Sequence, residues 1–148
     1  MQYTEAKQGR IFILRLEQGE ILHTVVEEFA AGQGIRRAVL TALGGADRES
    51  KLIVGPEDSR ARPVTPVVRT LDDVREVVGS GTIFPDQQGS PVLHMHLACG
   101  RERNTVTGCV RRGVPVWQIL EVVLQELVDC GGERRQDPDL GLGVLDLS

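Results

Sequence analysis

The segment Leu93-His94-Met95-His96-Leu97 alternates apolar and imidazole side chains, and this period of two constrains the fold more tightly than anything else in the chain. Side chains on a β-strand point alternately to opposite faces. A strand here therefore puts His94 and His96 on one face and Leu93, Met95 and Leu97 on the other. Residues 91–99 and 104–112 read as a hairpin. With 100–103 as a four-residue loop, His94 lies opposite Cys109, His96 opposite Thr107 and Ala98 opposite Thr105. On the other face Leu93 meets Val110 and Leu97 meets Val106. A slip of one residue would set Leu97 against Thr107 and Leu93 against Arg111, mixing the faces, so the pattern selects this register.

Opposed Cβ atoms in such a pair stand roughly 5 Å apart. Two neutral imidazoles and a thiolate make a good ligand set for zinc, which takes nitrogen and sulfur readily. Three protein ligands leave a fourth position for water or a substrate oxygen. His23 is the only other histidine, so a fourth protein ligand would be a carboxylate such as Glu121. The competing reading is a histidine pair in a polar pocket beside a cysteine that is simply a small buried hydrophobe.

The rest of the chain reads as short strands around one helix. Residues 10–16 form a nearly all-apolar run. Ile21, Leu22, Val25, Val26, Phe29 and Ala30 recur at helical spacing between Gly19 and the pair Gly32 and Gly34. Residues 35–43 predict a strand stopped at Gly44-Gly45, and 51–54 and 67–70 two shorter ones. Residues 55–66, with Pro56, Pro63 and Pro66, predict a loop. Residues 75–84 predict a strand in which Gly79 and Gly81 mark a bulge or a close backbone approach. Asp86-Gln87-Gln88-Gly89 is a turn. Residues 116–128 fit either helix or buried strand; a short helical turn followed by a strand is the expectation. The tail 140–147 could close as an edge strand. The expected fold is α+β: a mostly antiparallel sheet, partly closed and barrel-like, with one main amphipathic helix.

At 148 residues the chain has the length of a single domain spanning 1–148. No apolar run approaches the roughly 18 residues of a membrane helix. The net charge of −4 removes the usual electrostatic argument for nucleic-acid binding. Five aromatics, Tyr3, Phe12, Phe29, Phe84 and Trp117, are too scattered for a base-stacking platform. Cys99, Cys109 and Cys130 are odd in number and do not suggest a disulfide framework. Met1 to Glu5 shows no secretory pattern, so the cytosol is the expected compartment. Gly44-Gly45 lacks the context of a nucleotide-binding loop.

The run GTIFPDQQGSPVLHMHLACGRERNTVTGCV resembles the core of the plants-and-prokaryotes conserved (PPC) domain, and RLEQGEILHTVVEEFAAGQGIRRAVLTALGGADRE fits the same family. The resemblance covers about residues 9–130. It implies an α+β fold and a homotrimer. It also implies a metal site, because members of the family often carry a histidine pair on this strand and a third ligand on the next. His94 and His96 match the pair, and Cys109 occupies the third position. The fold is similar to that of acetolactate decarboxylase, a zinc enzyme with three histidines; the cysteine here departs from that pattern and puts that chemistry in doubt. Plant members bind DNA through AT-hooks, whose core is Arg-Gly-Arg-Pro. Arg60-Ala61-Arg62-Pro63 lacks the glycine.

Arg101, Arg103, Arg111 and Arg112 are candidate anion binders, since arginine forks hold carboxylate or phosphate well. The competing reading, a solvated loop or inter-subunit ion pairs, is the usual one for charged loops at a surface. Glu121, among apolar neighbours, is either a buried proton-transfer group or metal ligand, or the partner of an arginine across a subunit interface. His23 is expected at the surface, paired with Glu27 one turn later. Trp117 is expected in the core or an interface. Three functions remain open: a zinc-type metal or small-ligand protein acting as a trimer, a zinc lyase or hydrolase, and a DNA-associated protein acting through its arginines or a partner.

Overall fold

A computed structural model describes all 148 residues, Met1–Ser148. In chain order the elements are β1 (Lys7–Glu17), α1 (Leu22–Gly32), β2 (Ala38–Ala46), β3 (Lys51–Pro56), β4 (Pro66–Thr70), β5 (Arg75–Pro85), β6 (Pro91–Arg101) and β7 (Asn104–Cys109). A 3-10 turn (Val110–Arg112), β8 (Val116–Val128), β9 (Glu133–Asp137) and β10 (Leu142–Asp146) follow. Eight strands form one sheet in the order β1-β8-β2-β5-β6-β7-β3-β4, and β9 and β10 form a separate ribbon. The pairings in both are antiparallel. A β-bridge between Asp86 and Arg134 and a hydrogen bond from Arg134 to Thr82 join the ribbon to the main sheet.

This corrects the expected fold class. The molecule is dominated by strand, with one 11-residue helix, and the sheet is not a closed barrel. Closure would require β1 and β4 to exchange hydrogen bonds, and they are the two opposite edges. Only one stretch of the sequence keeps a helical period, so only one face of the sheet receives a helical cover.

That cover makes the core. Leu22, Val26 and Ala30 of α1 are fully buried together with Leu93, Met95 and Leu97 of β6, Leu40 of β2, and Leu120, Val122 and Leu124 of β8. Burying each large aliphatic side chain is worth roughly 1.5–3 kcal/mol. The helix has no side-chain cap at its N-terminus, so packing holds it more than capping does. Its first turn is tied to the chain leading into β8: Leu22 N–H donates to the Val114 carbonyl at 3.0 Å, and Val116 N–H to the Glu20 carbonyl at 2.9 Å.

No helix covers the other face of the sheet, and the β9–β10 ribbon lies against it at the histidine end. Ile13 is 80% exposed, Val78 62%, Leu43 56% and Ile11 52%. They share the histidine face: Ile13 stands on one rung with Val123, Thr41, Ser80 and His96, while Leu43 and Val78 pair on the rung with Glu121.

Three local expectations are corrected. Residues 116–128 contain no helical turn and form a 13-residue strand. Its apolar residues lie on both faces, Leu120, Val122 and Leu124 inward and Ile119 outward, which hid the period of two. β2 runs through Gly44-Gly45 instead of stopping there, because glycine lets β8 come close: a Cβ on either would stand 2.4 Å from a β8 carbonyl oxygen, that of Ile119 or of Trp117. The tail joins β9 in the ribbon and does not edge the main sheet.

Candidate metal centre

β6 alternates as its sequence requires. Leu93, Met95, Leu97 and Cys99 are buried beneath α1, and His94 and His96 point to the open face. The hairpin register differs from the expected one. The turn has two residues, Glu102 and Arg103, with Glu102 at φ 54°; such tight turns need positive φ and fit the twist of the strands. β6 therefore runs on to Arg101, the pairing shifts by two, and β7 stops at Cys109, short of the expected residue 112. His96 faces Cys109, Ala98 faces Thr107 and Gly100 faces Thr105, while Leu97 faces Gly108 and Cys99 faces Val106. A shift of two preserves the faces, so both histidines and Cys109 remain on one side.

β7 ends at Cys109, whose extended backbone leads straight into the 3-10 turn. The donor atoms of His94, His96 and Cys109 all lie within 4.8 Å of one another. Zinc–nitrogen bonds of about 2.0 Å and zinc–sulfur bonds of about 2.3 Å close such a gap after small side-chain rotations. The two imidazoles meet edge to face, with centroids 5.1 Å apart and planes at 82°. Burial, then the positive charges of Arg134, His96 and Arg111, lowers the pKa of His94. That ring is therefore neutral at pH 7, the form in which a nitrogen lone pair can bind a metal. The local hydrogen bonds run between other groups: Leu93 N–H to the Glu27 carboxylate at 2.7 Å, Arg111 to the Leu93 carbonyl, and Arg134 to the Thr82 hydroxyl at 2.9 Å. The donor set fits zinc.

Behind the histidines β5 comes unusually close. A Cβ on Gly79 would stand 2.1 Å from the His96 carbonyl oxygen, and one on Gly81 2.6 Å from that of His94. The two glycines flagged in the sequence are thus close-approach positions, at the rungs that fix the histidine strand.

Three recesses open around the cluster. One of about 590 Å³ includes His96, Cys109, Arg111 and Arg112; one of about 650 Å³ includes His94, Cys109, Arg111 and Arg134; one of about 360 Å³ includes Ser80, Thr82 and both histidines. None has an aspartate or glutamate in its lining.

The four hairpin arginines divide between two ends. Arg111 and Arg112 border the cluster. Arg101 is at the far end, bonded to Asp73 at 2.9 Å, and Arg103 is exposed at the hairpin tip. Glu121 is exposed on β8, opposite Arg15 and Leu43 and three strands from β6. It is neither buried nor part of the cluster. His23 is half-buried with Nδ1 unpartnered, and Glu27 turns away from it to serve Leu93 and approach Arg111 at 4.0 Å. Trp117 is half-buried against Gly45. Arg134 was not singled out in the sequence. It lies about forty residues beyond the histidines, in a charged stretch with no distinguishing pattern, and only the ribbon fold brings it to His94.

The sequence matches the Plants and Prokaryotes Conserved (PCC) domain over residues 3–128. No curated protein matches at a significant level. Among solved structures, a metal-containing protein from Archaeoglobus fulgidus superposes with a TM-score of 0.82 at 26% identity, over 97% of this chain and 98% of that one. A plant- and prokaryote-conserved (PPC) protein from Pyrococcus horikoshii superposes with a TM-score of 0.79 at 23% identity, over 95% and 96%. A candidate DNA-binding protein from Bacteroides thetaiotaomicron superposes with a TM-score of 0.77 at 17% identity, over 96% and 97%. No helix is long and apolar enough to cross a membrane.

Proposed function

Because this chain belongs to the Plants and Prokaryotes Conserved (PCC) domain family, we propose that it is a zinc-binding, small-ligand protein working as a homotrimer, with His94, His96 and Cys109 as the metal ligands. The observation that carries this is the convergence of three donors of the right chemistry within 4.8 Å on an open strand face. The metal-containing relative at 26% identity supports it. When bound, zinc would supply a Lewis-acidic position open to a ligand oxygen. The protein's own share is to hold two imidazoles and a thiol in place, with Arg111 and Arg112 bordering the opening. Ile11, Ile13, Leu43 and Val78, exposed on one face of the sheet, support self-assembly, since uncovered apolar surface marks interaction sites.

Ligand binding is favoured over a zinc lyase or hydrolase. Such catalysis calls for an acid or base beside the open position, and no carboxylate lines the recesses. A DNA-associated role has the name of the Bacteroides relative in its favour. Against it stand the net charge of −4 and the pairing of Arg101 with Asp73.

Metal analysis of untagged protein tests the proposal. About one zinc per chain is expected, lost in a His94→Ala/His96→Ala double variant. A zinc content far below that, unchanged by the double substitution, would overturn it. Duplex DNA binding that weakens steeply with salt would favour the nucleic-acid reading instead.

A further inference from the structure

Two arginines sit side by side on β9 in opposite circumstances. Arg135 is bonded to Glu133 at 2.6 Å and to Asp146 at 3.3 Å. Arg134 has no carboxylate partner. It is half-buried, donates one hydrogen bond to Thr82, lies 5.8 Å from the Phe84 ring, and leaves its Nε buried without a partner. A guanidinium so placed is costly unless something anionic joins it.

The surroundings say what that anion is. Arg134 shares its recess of about 650 Å³ with Arg111, His94 and Cys109, while Ile53, Leu142, Val144 and Leu145 supply an aliphatic wall. Burial, and then the positive charge of the neighbouring Arg111, lowers the pKa of Arg134. Arg111 already has the Glu27 carboxylate 4.0 Å away. Arg134 is the one arginine in this recess without a protein carboxylate beside it, so it offers an anchor for an anion that enters. An inorganic ion would leave the aliphatic wall facing water. A carboxylate on a short alkyl body satisfies both walls, and its planar oxygens suit an arginine fork.

We propose that Arg134, assisted by Arg111, binds the carboxylate of a small aliphatic monoacid beside the His94–His96–Cys109 centre. The proposal rests on that centre being the ligand site and names the class of ligand it receives.

Calorimetric titration of the zinc-treated full chain with butyrate, 1-butanol and inorganic phosphate tests this, with the zinc content of every sample measured in parallel. Butyrate is expected to bind and butanol not to, with phosphate weaker than butyrate. Arg134→Gln should weaken butyrate about tenfold or more without changing the zinc content. Arg134→Lys, which keeps the charge but loses the fork, should fall between the two and serves as the reading if the glutamine variant does not fold. Butyrate binding that is absent, or equal in wild type and both variants, overturns the proposal, as does tighter binding of phosphate. A protein that binds butyrate through Arg134 but takes up no zinc would uphold this inference and sink the metal reading, so the two failures are separable.

Discussion

His96 on β6 faces Cys109 on β7 across one antiparallel rung, and on its other side Cys109 pairs with Ile53 of β3. That second rung is the one ladder pair joining β3 to β7. Cys109 is therefore both a candidate ligand and the point where the outer strands β3 and β4 attach to the sheet. A metal held there would brace a weak seam. A ligand that binds only the native state at a hundred times its dissociation constant stabilises by about 2.7 kcal/mol. In a chain of this size, chelation should then lower Tm by roughly 5–10 °C. The shift is expected in wild type and absent in the His94→Ala/His96→Ala variant, measured by thermal melts with and without EDTA.

Gly79→Ala and Gly81→Ala should destabilise strongly, because the added methyl meets backbone rather than a flexible side chain. Overpacking of this kind costs about 1–3 kcal/mol and sometimes more. The strand that must move is the one carrying the histidines, so zinc affinity should fall with stability. Gly143→Ala, where nothing lies within 4 Å of the new Cβ, is the matched control. Urea midpoints and zinc competition on the three variants check this.

The uncovered apolar face predicts an assembly that one charge can break. Ile13 and Val78 are the most exposed of the large apolar residues on that face. Ile13→Glu or Val78→Glu should convert the proposed trimer to monomers while leaving the fold intact, because neither side chain contributes to the core cluster. Light scattering gives the mass, and a wild-type monomer would remove the premise.

Acid should weaken the attachment of β1. The Arg10 guanidinium grips the Glu126 carboxylate through Nε at 2.7 Å and Nη2 at 2.9 Å, and the same Nη2 donates to the Gln33 carbonyl at the end of α1. This hydrogen bonding holds the Glu126 carboxyl below its ordinary range, against the opposing effect of burial. A carboxyl whose folded pKa is depressed adds stability above its unfolded value, near 4.3, and loses it as pH falls through the lower folded value. Glu126→Gln should therefore be less stable than wild type at neutral pH, with the gap closing as pH falls below the ordinary carboxylate range. Urea midpoints across that range give the difference directly.

The chemistry of the centre was more legible in the sequence than its geometry. Strict alternation at Leu93–Leu97 placed both histidines and Cys109 on one face, and a face survives any register error of two. Which histidine opposes the thiol depended on the length of one turn, and nothing in Gly100-Arg101-Glu102-Arg103 distinguishes a four-residue loop from a two-residue one. β8 hid its period because both its faces are apolar. Glu121 looked buried for the same reason: its neighbours are apolar, but half of them point away from the core. Arg134 carried no local signal. Its place beside His94 comes from a ribbon joined to the sheet by the Asp86 bridge and the Thr82 hydrogen bond, contacts that sequence periodicity does not encode.

The three thiols should separate into three behaviours. Cys99 is fully buried on the core face of β6, and burial pushes its pKa up to about 11. The thiolate is the reactive form, so Cys99 should be inert in the native protein. Cys109 and Cys130 are both half-buried and free, and both should react with a disulfide reagent before unfolding. Zinc should then protect Cys109 alone, since only that thiol lies beside the two histidines. The expected count is two reactive thiols in chelator-treated protein, one after zinc is restored, and three in denaturant. Protection by zinc that persists in the His94→Ala/His96→Ala variant would show the metal binding elsewhere.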